Sequence, residues 1–169
     1  ITWASAPGCN AIAVAQYVLS VMLNLSEGQG FDLLNKTVAI VGAGNIGKQL
    51  AKVCNALSIE HFFYDPFVES DLIVGDFRSF DNVLNADIIS LHVPITRTEN
   101  FPTYHMFGTA QLSQLKTDAI LINSCRGDVV DNDALARHVN NNSSFTAVMD
   151  VWQHEPSINH DLLEVTDIA

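Results

Sequence analysis

Residues 38–50 read "VAIVGAGNIGKQL". A short branched apolar run, Val38 to Val41, delivers the chain straight into three glycines spaced G-x-G-x-x-G, at Gly42, Gly44 and Gly47. Ile46, Leu50, Val53 and Leu57 then recur at 4-3-4 spacing over 45–57, which predicts a helix. Strand, glycine turn and helix therefore follow one another without a spacer. Gly42 permits the tight turn, Gly44 lets the backbone approach a ligand, and Gly47 lets helix and strand pack closely. The free N–H groups of the helix start, near Asn45 and Ile46, are donors to an anion such as a pyrophosphate. By itself the glycine pattern is weak. Its position between a strand and a helix makes it a dinucleotide loop.

Elements of the same two kinds alternate on either side. Strands are predicted at 36–42, 60–65, 87–93, 119–124, 145–151 and, starting, at 165–169. Helices are predicted at 45–57, 79–86, 109–115 (capped by Thr109) and 131–140 (capped by Asp131). The strands are apolar runs rather than alternating patterns, as expected of a parallel sheet covered on both faces. The predicted fold is α/β: a doubly wound parallel sheet of Rossmann type in three α/β/α layers, with ligands bound outside the carboxyl ends of the strands. Asp65 ends the second strand 18 residues after Gly47. A carboxylate there accepts from ribose hydroxyls and repels a 2′-phosphate. With Glu69 and Asp71 following and no Lys or Arg before Arg78, the pattern favours NAD over NADP.

Composition narrows the partners. The 169 residues are 48% hydrophobic and 16% charged, enough for one domain with a sizeable core. With 19 acids against 8 Lys and Arg, the net charge is −11, which disfavours nucleic acid and anionic lipid. Cys9, Cys54 and Cys125 are odd in number and form no C-x-x-C pair, so neither a disulfide scaffold nor a metal site is read, and a reducing, cytoplasmic compartment is expected. The apolar stretch "AIAVAQYVLSVMLNL" (11–25) is interrupted by Gln16, Tyr17, Ser20 and Asn24; it reads as a largely buried helix with Asn10 as its N-cap and Gly28 and Gly30 at its end, not a membrane span. The chain opens on Ile1 with no basic n-region, and reads as a piece of something longer rather than as a signal peptide.

Polar residues gather where the strands end: "LHVP" (91–94), "NSCRG" (123–127), "MDVWQHEP" (149–156) and "VTDIA" (165–169). Arg126 is one of only 8 Lys and Arg residues, and it stands at a strand mouth. A guanidinium there can grip a carboxylate with its fork of donors and polarise a neighbouring carbonyl or hydroxyl. The blander alternative is an Arg that closes the strand by pairing with Asp128 or Asp131.

"GAGNIG", the acid after the second strand, "NSCRGDVVDNDAL" and "DVWQHEP", in this order, resemble the D-isomer-specific 2-hydroxyacid dehydrogenases over essentially the whole chain. "SAPGCNAIAV", "GDFRSFD", "PTYHM" and "DVWQHEPSINHDLL" resemble one subgroup, which acts on a phosphorylated 2-hydroxy acid. The resemblance implies that Arg126 orients substrate and that Glu155 buttresses a catalytic His. It implies that Asp150 contacts the nicotinamide end, and that Val93, Ser124 and Cys125 line the cofactor. Val93 stands where the subgroup leads one to expect Thr. The family's catalytic His belongs to a P-H motif expected after "VTDIA", and none of the six histidines here is taken as its substitute. Residues 1–27 are expected to be a crossing helix from a substrate domain and 28–169 the nucleotide-binding core. The expected partners are a small phosphorylated 2-hydroxy acid and, in the full-length protein, a second copy forming a homodimer. The alternatives are a family member acting on phosphoglycerate, glycerate or formate, or a non-catalytic NAD-sensing module on the same fold.

Overall fold

A computed structural model describes residues 4–68, 75–98, 100–158 and 160–163. The strand predicted at 165–169 and the acids Glu69 and Asp71 lie outside the described residues.

Five parallel strands form one sheet in the order β2-β1-β3-β4-β5: β1 is Thr37–Val41, β2 Glu60–Tyr64, β3 Ile88–Leu91, β4 Ile120–Asn123 and β5 Thr146–Met149. Register alternates cleanly between the two faces, because side chains on a strand have a period of two. Ala39, Val41, Phe62, Ile89, Leu91, Leu121, Ala147 and Met149 face one layer, formed with Val83 and Leu84 of α3 (Phe80–Leu84), Leu112 of α4 (Thr109–Leu112), Leu135 of α5 (Asn132–Asn141) and Leu162 of α6 (His160–Leu163). Val38, Ile40, Phe63, Ile88, Ile120, Ile122 and Val148 face the other, formed with Val18, Met22 and Leu25 of α1 (Ala11–Gln29) and Leu50 and Cys54 of α2 (Asn45–Ala56). Burial pushes the Cys54 thiol up to about 12, so it is an inert core group.

α1 has the length and hydropathy of a membrane span, yet it is a layer of this core: Val18 and Met22 are fully buried, while Ile12 and Leu23 face outward. Gly30 ends it in the left-handed conformation (φ 70°), donating its N–H to the Ser26 carbonyl, whereas Gly28 is an ordinary helical residue. Asn10 occupies the N-cap position without donating or accepting a capping bond. Asp131 does cap α5, its carboxylate accepting from Ala134 N. Thr109 does not cap α4. Gly108, extended at φ −95°, is the N-cap residue and Thr109 is already helical. Asp87 pins the strand starts: Oδ2 accepts from Thr37 N, Oδ1 accepts from Lys116 Nζ, and its carbonyl accepts from Ile120 N.

The chain reverses direction across the sheet between β1 and β3. The connections leaving β1 and β3 therefore run to opposite faces of the sheet and leave a crevice above the paired strand ends, where the glycine loop leaves β1.

Candidate active site

Gly42 has φ 104°, a conformation L side chains rarely adopt, and a Cβ on it would stand 2.5 Å from the His92 carbonyl oxygen. A Cβ on Gly47 would overlap the Gly42 carbonyl. These two glycines are required by backbone–backbone contact, one between loop and β3, the other between helix and loop. Gly44 differs: a Cβ there would meet nothing within 4 Å. Its requirement is not packing, and the space beside it is open to a ligand. α2 starts at Asn45, so Asn45, Ile46 and Gly47 occupy the first turn, where N–H groups lack intrahelical acceptors.

Asp65 ties the end of β2 to this loop. Its Oδ2 accepts from Ala43 N at 2.9 Å and its Oδ1 from Phe67 N at 3.1 Å. An ionised carboxylate has about four acceptor sites, so both oxygens keep capacity for a ligand hydroxyl. Gly42, Gly44, Asp65 and Val93 line one cleft of about 630 Å³, walled on its far side by Pro94, Thr103, Tyr104 and His105. Phe67 and Phe101 meet edge to face at 5.8 Å at its mouth. His92 also lines the cleft. Its Nε2 is 2.9 Å from Ser90 Oγ, its Nδ1 is buried with no partner among the described residues, and burial lowers its pKa to about 4.

Ser124, Cys125, Arg126, Asp150 and Glu155 lie on the same carboxyl edge of the sheet, at the ends of β4 and β5, but not among the residues lining that cleft. Asn123, which sequence reasoning left unassigned, builds this end. It is fully buried; its Oδ1 accepts from Cys125 N and Sγ, and its Nδ2 donates to the Arg126 carbonyl at 3.0 Å. A polar residue closing the apolar run "AILIN" was the available signal. The Asn123 bonds turn the chain so that Arg126 points outward, with Nη1 donating to the Cys125 carbonyl at 2.6 Å. Arg126 does not close the strand on Asp128, whose carboxylate pairs with Arg97 at 3.3 Å, nor on Asp131, which caps α5. Arg97 itself stacks on the Tyr104 ring at 3.5 Å.

Burial pushes the Cys125 thiol up, which keeps it neutral and argues against a nucleophile. Ser124 Oγ is buried without a hydrogen-bond partner among the described residues, an unusual state for a hydroxyl unless a ligand supplies one. Asp150 is exposed, and its charge, after burial, is the second cause that raises the Tyr17 hydroxyl pKa, so α1 runs beside it. Glu155 is exposed, with Oε1 accepting from Trp152 N at 2.7 Å.

Among the histidines, His61 Nδ1 donates to the Ile59 carbonyl at 3.0 Å. His154 is exposed at φ 60°. His138 packs edge-on against Phe145 at 4.7 Å, and burial lowers its pKa. His105, whose place in "PTYHM" suggests either a helix cap or a contact with the cleft, lines the cleft and is held in a polar network: Gln153 Nε2 lies 2.8 Å from its Nε2, and Tyr104 stacks on its ring.

The NAD binding domain model of the D-isomer specific 2-hydroxyacid dehydrogenases matches residues 14–169. The erythronate-4-phosphate dehydrogenase of Psychromonas ingrahamii is 47% identical over all of this chain and 44% of its own length. That of Citrobacter koseri is 44% identical over all of this chain and 45% of its own length. The chain thus spans less than half the length of these curated relatives. Among solved structures, the NAD complex of Staphylococcus aureus formate dehydrogenase superposes with a TM-score of 0.82 at 26% identity, over 96% of this chain and 55% of that one. D-lactate dehydrogenase with NAD+ from Lactobacillus jensenii gives 0.75 at 26% identity, over 93% and 55%. With the glycine loop, the acid after β2 and the polar ends of β4 and β5 all inside the matched span, the chain belongs to the D-isomer specific 2-hydroxyacid dehydrogenase family, as its NAD binding domain.

Proposed function

We propose that this chain is the cofactor-binding half of an enzyme that oxidises 4-phospho-D-erythronate at its 2-hydroxyl to 2-oxo-3-hydroxy-4-phosphobutanoate, a step of vitamin B6 synthesis. The observation that carries this reading is the 44–47% identity to erythronate-4-phosphate dehydrogenases over the entire chain.

The residues fit the cofactor. When bound, NAD would supply the hydride acceptor for oxidation of the hydroxyl to a carbonyl. The open side of Gly44 and the first-turn N–H groups of Asn45, Ile46 and Gly47 would hold the pyrophosphate, and Asp65 the ribose hydroxyls. Val93 would contact the cofactor through its apolar side chain and backbone. The unpartnered Ser124 hydroxyl, Cys125 and Asp150 would line the nicotinamide end.

Arg126 would bind the substrate carboxylate and stabilise charge on the C2 oxygen as it loses its proton. Glu155 would orient the proton acceptor and raise its pKa. We place that acceptor, a histidine, outside these 169 residues, together with the domain that closes the cleft. α1 would then be the crossing helix, with residues 1–27 belonging to the substrate domain's boundary. The expected setting is a cytoplasmic homodimer. A relative acting on phosphoglycerate, glycerate or formate, or an NAD sensor, is the competing assignment.

The test is NADH formation by the full-length protein with 4-phosphoerythronate, beside phosphoglycerate, glycerate and formate at equal concentration. Preference for phosphoerythronate supports the reading. Preference for another acid reassigns the substrate, and no turnover with any of them favours the sensor. Arg126→Ala should then cost on the order of 3 kcal/mol of transition-state stabilisation with NAD affinity near wild type.

A further inference from the structure

Gln153 joins three segments that are distant in sequence. Its Oε1 accepts from the backbone N–H of Asn132 at 2.9 Å, and that donor is unambiguous, so the orientation of the amide is fixed. Nε2 must then be the opposite atom. It donates to Asp128 Oδ1 at 2.8 Å and points at His105 Nε2 at 2.8 Å. His105 Nε2 is therefore an acceptor, with the ring proton on Nδ1, 3.7 Å from the Asp131 carboxylate. The backbone N–H of Gln153 donates in return to Oδ1 of Asn132, a buried side chain whose Nδ2 donates to the Val130 carbonyl.

Each segment leads to a place already described. Asp128 lies on the turn that follows Arg126, and Asn132 opens α5 directly after that turn. Gln153 lies between Asp150 and Glu155. His105 and Tyr104 wall the cofactor cleft. The turn is held from its other side by a backbone zipper: His105 N donates to the Asp128 carbonyl, Phe107 N to the Val129 carbonyl, and Asp131 N to the Phe107 carbonyl. Gly127 lets Trp152 come into direct backbone contact, since any Cβ there would overlap the Trp152 carbonyl.

We infer that Gln153 is a positioning residue: it locks segment 150–156 to the turn carrying Arg126 and fastens both to the cleft wall at His105. Its consequence for turnover rests on the substrate role proposed above for Arg126; the locking itself does not.

The experiment pairs two readouts on the full-length protein with Gln153→Met, which keeps length and loses both donors and the acceptor. Backbone amide exchange at Val129, Val130 and Asp131 should accelerate at least tenfold, although none of these N–H groups bonds to Gln153. NAD affinity should stay within about twofold, while kcat/KM for phosphoerythronate falls at least tenfold, mostly through KM. His105→Asn, which tolerates the left-handed φ of 51° but cannot reach Gln153, should shift exchange in the same direction by a smaller factor. This second variant decides the matter if the first does not fold. Unchanged exchange at 129–131 in the folded variants would overturn the inference. Wild-type protein inactive on phosphoerythronate would strike the substrate reading alone and leave the exchange result to judge Gln153.

Discussion

Asp65 and Ala43 are joined by a 2.9 Å hydrogen bond, from the Ala43 N–H to Asp65 Oδ2, so the acid at the end of β2 shapes the glycine loop as well as facing the cleft. Replacing it therefore does two things. Asp65→Asn should weaken NAD binding by about 1–3 kcal/mol, through a lost charge-assisted bond, and should narrow the gap between NAD and NADP by removing the repulsion of a 2′-phosphate. Titration of both nucleotides against the variant checks this. An unchanged ratio would remove Asp65 from the ribose site.

Gly42 and Gly44 should fail in different ways when changed to Ala. At Gly42 the left-handed φ and the His92 carbonyl both oppose a Cβ, so Gly42→Ala should lower the melting temperature. At Gly44 a Cβ enters open space, so Gly44→Ala should fold normally and lose NAD affinity by tenfold or more. Thermal melts run beside binding isotherms separate the two. A destabilised Gly44 variant with normal NAD affinity would contradict the assignment of that space to the cofactor.

Asp87 should contribute stability that depends on pH in the acid range. Burial opposes its ionisation, but the bonds from Lys116 and Thr37 outweigh that and hold the carboxyl below its ordinary value of 3.8. A carboxyl depressed in the folded state stabilises fully above the unfolded pKa, and the contribution is lost as pH falls through the folded one. Asp87→Asn should cost about 1 kcal/mol in urea melts at neutral pH and progressively less below about pH 4. A constant difference down to pH 2 would mean that the charge is irrelevant.

His92 gives a complementary effect nearer neutrality. It is neutral in the fold, with its pKa lowered by burial from 6.5 to about 4. The unfolded chain takes up a proton below 6.5 that the folded chain refuses, so stability should decline from there down to about pH 4, by on the order of 3 kcal/mol in total. His92→Gln should flatten this decline in the same melts. A wild-type profile that is level across the window would show that the ring is protonated in place.

What could be read from the sequence was what is local in the chain. Gly42, Gly44 and Gly47 are set by one strand-turn-helix; the five described strands are apolar runs; Arg126 stands out at a strand mouth. Asp131 was legible as a cap because its partner, Ala134, is three residues on. Thr109 was misread because its type favours capping, while the extended backbone that begins α4 falls one residue earlier, at Gly108. Asn123 was marked only as a polar residue closing the apolar run "AILIN"; its bonds to Cys125 and Arg126 appear once the chain turns at the end of β4. The link among Gln153, His105 and Asp128 could not be read: its bonds span 48 and 25 residues and exist only once β4, β5 and the loop after β3 lie side by side.

The central claim is that the crevice at the ends of β1 and β3 is a dinucleotide site that discriminates by the acid at Asp65. Calorimetric titration of this chain with NAD and with NADP tests it most directly. The account predicts saturable one-site binding of NAD, weaker binding of NADP, and loss of the NAD signal in Gly44→Ala with the melt unchanged. Equal or tighter binding of NADP, or NAD binding that survives Gly44→Ala at full strength, would contradict it.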